Sequence, residues 1–319
     1  MIRSYRLRSL LLILVACAAS QTARASRLVE AKLETKLVPS PVQYNVLLPD
    51  GYEAEKDALP LLLFLHGGGG DRSFLARMRP TIDEMWKSGA LPKMVVVTPS
   101  ASRSFYMDYK DGSQKWESFI IWEFLEHLRA AYKVSRERKG TLLFGISMGG
   151  LGALRLGFKY PDKFQALAAL EPGIDPALKW SDVKARNRFW RGDDLMETIF
   201  GKPFDANYWQ KNNPASIAVA NAEKIRGSGL GIYLDVGDED SFNLHEATEF
   251  MHRLLWDSKI LHEYHLVRGA DHVGRTVRAR SMEALAFLAR MLSPPPPDPD
   301  VENLKRTLAP LKRRAGVQP

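Results

Sequence analysis

Ser147 stands in the run Gly145-Ile146-Ser147-Met148-Gly149-Gly150, after the apolar block Thr141–Phe144 and before a stretch of helical periodicity. A serine between close glycines at a strand-to-helix junction fits the sharp turn that lifts a nucleophilic hydroxyl clear of its neighbours. Side chains at Gly145 or Gly149 would collide across such a turn. A serine hydroxyl is a weak nucleophile until a base takes its proton and an acid orients that base. In sheets of this kind the chain order is serine, acid, histidine.

Seven histidines compete for the role of base. His66 lies upstream of the serine, which is the wrong side. His127 and His252 fall in helical patterns, His262 and His265 in or beside a strand, and His245 at the start of a helix. His272 alone sits in a loop after a late strand, so it is the expected base. For the acid, the block Gly231–Asp235 leads into Asp238, Glu239 and Asp240, and spacing alone does not choose among these carboxylates. The reaction also needs donors for an oxyanion. One is expected from the N–H of Met148, and another from the run His66-Gly67-Gly68-Gly69-Gly70, where the backbone can approach a substrate closely. No Lys-Ser or Lys-Thr follows that run, so a Walker phosphate loop is excluded.

The elements that must position these residues read as an alternating α/β chain. Strands are expected at Val42–Leu48, Leu61–Leu65, Met94–Thr98, Thr141–Phe144, Ala166–Leu170, Gly231–Asp235 and Glu263–Val267. Several are continuously apolar, as strands covered on both faces are. Helical periodicity covers Trp116–Tyr132, Gly149–Tyr160, Asn243–Asp257 and Thr276–Met291. The segment from Pro172 to Ala222 shows no strand pattern and reads as a small, mainly helical insertion that either shapes a pocket or caps the core. With no internal repeat and no break in the middle, one catalytic domain over residues 26–293 is expected.

These motifs resemble the esterase family of α/β-hydrolases that includes S-formylglutathione hydrolase (esterase D), feruloyl and acetylxylan esterases and the antigen 85 mycolyltransferases. The likeness runs through LPLLLFLHGGGG (Leu59 to Gly70), FYMDYKDGSQKWESFI (Phe105 to Ile120) and GISMGGLGALRLGFKYPDKF (Gly145 to Phe164). It ends in DVGDEDSF (Asp235 to Phe242) and GADH (Gly269 to His272). The resemblance implies an α/β-hydrolase fold, with a mostly parallel central sheet and helices on both faces. It also implies a Ser147, Asp240 and His272 triad; with it, Gly68 and Met148 are the expected oxyanion donors, and neither metal nor organic cofactor is expected. The family acid follows the strand-end glycine by three positions, which selects Asp240 over Asp238. The chain departs from the family at Glu171-Pro172-Gly173, where a Ser-Gly is usual; Glu171 there either tunes the pocket, binds a substrate hydroxyl or pairs with an arginine such as Arg188 or Arg191, and the pairing is the expectation. The implied activity is hydrolysis of a carboxylic ester, on a small molecule or a glycan. Acyl transfer to a sugar and a non-catalytic binding module are the alternatives.

The two ends carry most of the charge. The whole chain has 319 residues, 45% hydrophobic and 26% charged, with a formal charge of +8, which raises the question of an anionic partner. Arg3, Arg6 and Arg8 precede the ten-residue apolar run Leu10 to Ala19, too short for the roughly 20 residues that span a bilayer. Ala23-Arg24-Ala25 then has the small-x-small pattern of a signal peptidase site, so residues 1–25 read as an export signal. Leu14-Val15-Ala16-Cys17 also resembles a lipobox, which would attach the chain to a membrane through a lipidated Cys17. Cys17 is the sole cysteine, so the mature chain is expected to have neither disulfides nor thiol catalysis. At the other end, the proline run after Ser293 predicts a Pro-rich, basic, disordered tail over residues 294–319. Removing residues 1–25 lowers the charge to +4, and the tail holds +2 of that. A nearly balanced domain without a nucleic-acid motif excludes nucleic acid as the expected partner.

Overall fold

The computed structural model describes residues 26–316. The stretch read as an export signal, Cys17 included, lies outside the described residues. Eight strands form a single sheet: β1 (Arg27–Leu33), β2 (Val42–Leu48), β3 (Leu61–Leu65), β4 (Val95–Pro99), β5 (Thr141–Ile146), β6 (Ala166–Leu170), β7 (Gly231–Gly237) and β8 (Glu263–Val267). Their order is β1-β2-β4-β3-β5-β6-β7-β8. The pairs β1/β2 and β2/β4 are antiparallel, and every pair from β4 through β8 is parallel.

The continuous apolar blocks are explained by burial on both faces. Leu61, Leu63 and Leu65 of β3 enter one core cluster, while Leu62 and Phe64 enter the other. The helical stretch over residues 116–131, π-helical at Phe119–Phe124, and helices Met148–Lys159 and Leu244–Asp257 cover the first face; helices Ser73–Ser88 and Thr276–Leu292 cover the second. The parallel register then brings the carboxyl ends of β3 to β8 to one edge, where a doubly covered sheet presents its ligand site.

The structure departs from the sequence reading in three places. Strand β1 was not expected, because its half-exposed pattern on a sheet edge lacks an apolar block. Helix Ser73–Ser88 was not expected either; it carries Pro80 in its interior. The tail expected to be disordered contains helix Pro299–Arg314, whose N-cap Asp298 accepts from the Asp300 N–H and whose first position is proline. The proline run ends one helix and its last member starts the next. The segment from Pro172 to Ala222 is indeed largely helical, and Trp209 is buried within it.

Candidate active site

Each of the six strands β3 to β8 delivers a residue to one cleft of about 740 Å³ at the sheet's carboxyl edge. Ser147 follows β5 with φ 56° and ψ −117°, left-handed for a non-glycine residue and strained accordingly. The turn is held by the Ser147 N–H donating to Leu170 O at 3.0 Å and by Ser147 O accepting from Gly173 N at 2.8 Å. Its glycines are steric requirements. A Cβ on Gly145 would fall 2.0 Å from Gly149 O, and one on Gly149 would fall 2.0 Å from Leu65 O.

His272 follows β8 and Asp240 follows β7. His272 Nε2 lies 3.1 Å from Ser147 Oγ, and Nδ1 lies 2.9 Å from Asp240 Oδ2. The other Asp240 oxygen accepts the N–H groups of Phe242 at 2.9 Å and Leu244 at 3.2 Å, which fixes the carboxylate plane. Burial works against the imidazolium, but the Asp240 bond and the charges of Glu171 and Asp240 outweigh it, and the His272 pKa rises above its ordinary value. Asp238, one of the two other carboxylates weighed from the sequence, instead accepts the Gly269 N–H at 2.6 Å.

The glycine run after β3 packs against the serine turn: a Cβ on Gly68 would lie 3.8 Å from Met148 Cβ. Met148 opens its helix, so its N–H has no intrahelical acceptor. His66 holds the run in place. Its Nδ1 donates to Gly67 O at 2.7 Å and its Nε2 accepts from Ala101 N at 3.0 Å, which fixes one neutral tautomer in a fully buried ring. Burial pushes its pKa down. The remaining histidines are engaged elsewhere or face away: His127 bonds Tyr44, His252 bonds His262, and His265 stacks on Tyr233. His245 forms no side-chain bond to Ser147 or Asp240.

Glu171 follows β6 at φ 37°, buried at the floor of the cleft. Its expected pairing with Arg188 or Arg191 is not found. Arg191 pairs with Asp175, and Arg188 lies over the Trp180 ring. The partner is Arg280, from helix Thr276–Leu292, at 2.9 Å. Burial raises the Glu171 pKa to about 7, against the opposing pull of His272 and Arg280. Glu171 and Arg280 are the site residues the sequence reading left unassigned or missed; the proximity of Arg280 leaves no mark in spacing. Glu171, Asp240 and His272 offer ligand atoms within 4.8 Å of one another, a spacing that suits a cation. Both imidazole nitrogens are already engaged, however, and Arg280 supplies the positive partner of Glu171.

The walls of the cleft are aromatic and aliphatic. Phe74, Phe105, Trp190 and Phe242 line it, and the insertion contributes Trp190. The Phe242 ring meets His272 edge-on at 4.6 Å. Fold and site geometry define an α/β-hydrolase with a serine, a histidine and an aspartate hydrogen-bonded in line at the strand ends. Residues 35–280 match the family described as "Putative esterase", and the chain belongs to that family. Esterase Rv1288 of Mycobacterium tuberculosis is 27% identical over 250 residues, covering 72% of this chain and 52% of the relative. An acetyl esterase of Caldicellulosiruptor saccharolyticus is 31% identical over 123 residues, covering 38% of this chain and 44% of the relative. The chain thus spans about half the length of the curated relatives it matches. A solved ferulic acid esterase superposes with a TM-score of 0.70 at 22% identity, covering 84% of this chain and 99% of the other, which shows the shared fold.

Proposed function

We propose that the protein is an exported serine hydrolase that cleaves a carboxylic ester on a small molecule or a glycan. The observation that carries this reading is the line of contacts from Ser147 Oγ through both nitrogens of His272 to Asp240. Ser147 Oγ attacks the ester carbonyl while His272 Nε2 takes its proton, and Asp240 holds the imidazole and stabilises its charge. The tetrahedral oxyanion is received by the N–H groups of Gly68 and Met148. His272 then protonates the departing alcohol, leaving an acyl group on Ser147. Water, deprotonated by the same imidazole, attacks the acyl-enzyme and frees the acid.

Transfer of the acyl group to a sugar hydroxyl would use the same intermediate. The test is product analysis of p-nitrophenyl acetate turnover with and without a sugar acceptor, together with fluorophosphonate labelling of Ser147. Free acid in both reactions supports hydrolysis, an acylated sugar identifies a transferase, and a folded protein that resists the probe is a binding module. For export, N-terminal sequencing of protein recovered outside the cytoplasm is expected to begin at Ser26, or to find a blocked, lipid-bearing Cys17. Cytoplasmic protein with an intact leader would overturn export.

A further inference from the structure

Two guanidinium groups face the cleft on the side of the glycine run. Arg103 lies in the loop after β4, with Nε 3.8 Å from the point a Cβ on Gly68 would occupy. That places it beside the oxyanion donors proposed above. Arg77, from helix Ser73–Ser88, lines the same cleft with its Cζ 5.3 Å over the Phe74 ring. Its one side-chain bond goes to Ser73 Oγ, at 3.1 Å. Among the described residues neither arginine has a carboxylate within 4.0 Å. Asp71 shares that corner; its carboxylate accepts the Ser73 N–H at 2.7 Å and feels the Arg77 charge from beyond ion-pair distance. Glu171, the carboxylate lining the cleft, is paired from below with Arg280, a cation it shares with Asp235.

The loop that presents Arg103 is held in an unusual shape. Ser102, Phe105 and Tyr106 have φ values of 46°, 53° and 54°, left-handed for residues that carry side chains. Strain of this kind persists where surrounding bonds over-determine it. Here Ala101 N donates to His66, Tyr106 OH donates to His66 O at 3.0 Å, and Arg155 donates to Tyr106 O at 3.2 Å. A guanidinium on a fixed loop, beside low-dielectric aromatic walls, concentrates positive potential where a substrate enters. Its planar fork matches a carboxylate, phosphate or sulfate.

We propose that Arg77 and Arg103 form an anion subsite, and that the ester this enzyme takes carries an anionic group close to the scissile bond. An acidic sugar and a small carboxylated ester would both satisfy it. The inference rests on the esterase reading for its position relative to Ser147, so its test separates the two. Turnover is compared within pairs of similar size that differ in charge: mono-p-nitrophenyl succinate against p-nitrophenyl pentanoate for an anion on the acyl side, and p-acetoxybenzoate against its methyl ester for the alcohol side. p-Acetoxyphenyl phosphate and p-acetoxyphenyl sulfate distinguish the anion. In at least one pair kcat/KM is expected to favour the anionic member by about tenfold at low salt. The advantage should shrink between about 0.05 and 0.5 M salt as screening grows. Arg77→Gln combined with Arg103→Gln should bring that ratio close to one. Calorimetry on Ser147→Ala protein, with p-acetoxybenzoate and with mono-p-nitrophenyl succinate, reads the subsite without turnover. Binding of either anion should weaken about tenfold when both arginines are replaced. Anion binding without turnover in the wild type would sink the esterase reading and keep the subsite. Equal treatment of both members in every pair, or a preference that survives the double substitution, would overturn the subsite.

Discussion

The Arg280 guanidinium lies 2.9 Å from the Glu171 carboxylate, with both side chains almost fully buried beneath the cleft. The same arginine donates through Nε to Asp235 at 2.6 Å and through Nη1 to Asp271 O, next to His272, at 3.2 Å. One cation from a helix therefore ties together the ends of β6 and β7 and the loop of the proposed base. Replacing it by methionine would strand two buried carboxylates without a counter-charge. Arg280→Met is expected to lower the unfolding free energy by about 3–5 kcal/mol, read from urea melts. An unchanged midpoint would show that the pair contributes nothing to the fold.

Glu171 and His272 are electrostatically linked, and the link should be visible in the pH profile. The charges facing Glu171 are His272, Asp240 and Arg280, with Asp235 behind Arg280. With His272 as the proposed base, only the neutral imidazole works, so kcat/KM is expected to fall as pH drops through the His272 pKa. An ionised Glu171 favours the imidazolium and holds that pKa up. Glu171→Gln removes the negative charge, so the acidic limb is expected to move to lower pH. A limb that stays in place or moves upward would contradict the link.

If Ser147, His272 and Asp240 act as the proposed unit, Ser147→Ala should reduce p-nitrophenyl acetate turnover by about 10⁴-fold or more. The turn is built from backbone bonds at Ser147 and from the flanking glycines, none of which the substitution removes. Circular dichroism and the thermal midpoint are expected to stay close to wild type. Near wild-type activity would remove Ser147 from the mechanism.

Gly149→Ala is the converse, a structural lesion at a position outside the line of hydrogen bonds. The new methyl would lie 2.0 Å from Leu65 O and 2.9 Å from His66 O, both backbone atoms of β3 and its exit. Relief requires β3 to part from the serine turn. Loss of soluble protein, or a drop in stability of more than about 2 kcal/mol, is expected. A soluble variant of wild-type stability would show that the close approach is not required.

The part of this site that was legible in the sequence is the part set by local geometry. The elbow needs glycines at fixed offsets from a serine, and strands buried on both faces must be apolar throughout, so both leave patterns in the chain. Asp240 is different. Asp238, Glu239 and Asp240 are adjacent, and which one meets His272 depends on the turn that caps Asp240 with the N–H groups of Phe242 and Leu244. Spacing could not decide it, and the family resemblance did. Arg280 was invisible for a related reason. It sits in a helix with other charged residues, and its burial arises only when that helix covers β6 and β7. The tail helix left a local signal, Asp298 before Pro299, but the preceding prolines dominated the reading.

The contrast between His245 and His272 gives the sharpest discrimination. His245 is five residues from Asp240 along the chain, but it lies in the first turn of helix Leu244–Asp257 and takes no part in the bonds to Ser147. His272 is 32 residues away and reaches Asp240 at 2.9 Å. If the imidazole bonded to Ser147 is the base, His272→Ala should lower kcat by about 10⁴-fold or more, because the serine keeps its proton. His245→Ala removes a helix-face side chain and should leave turnover within about twofold, with a stability change inside about 0.5 kcal/mol. Stopped assays with p-nitrophenyl acetate read the first, and urea melts read the second. The reverse outcome, a dead His245 variant and an active His272 variant, would move the base to the other side of Asp240 and dissolve the triad proposed for this site.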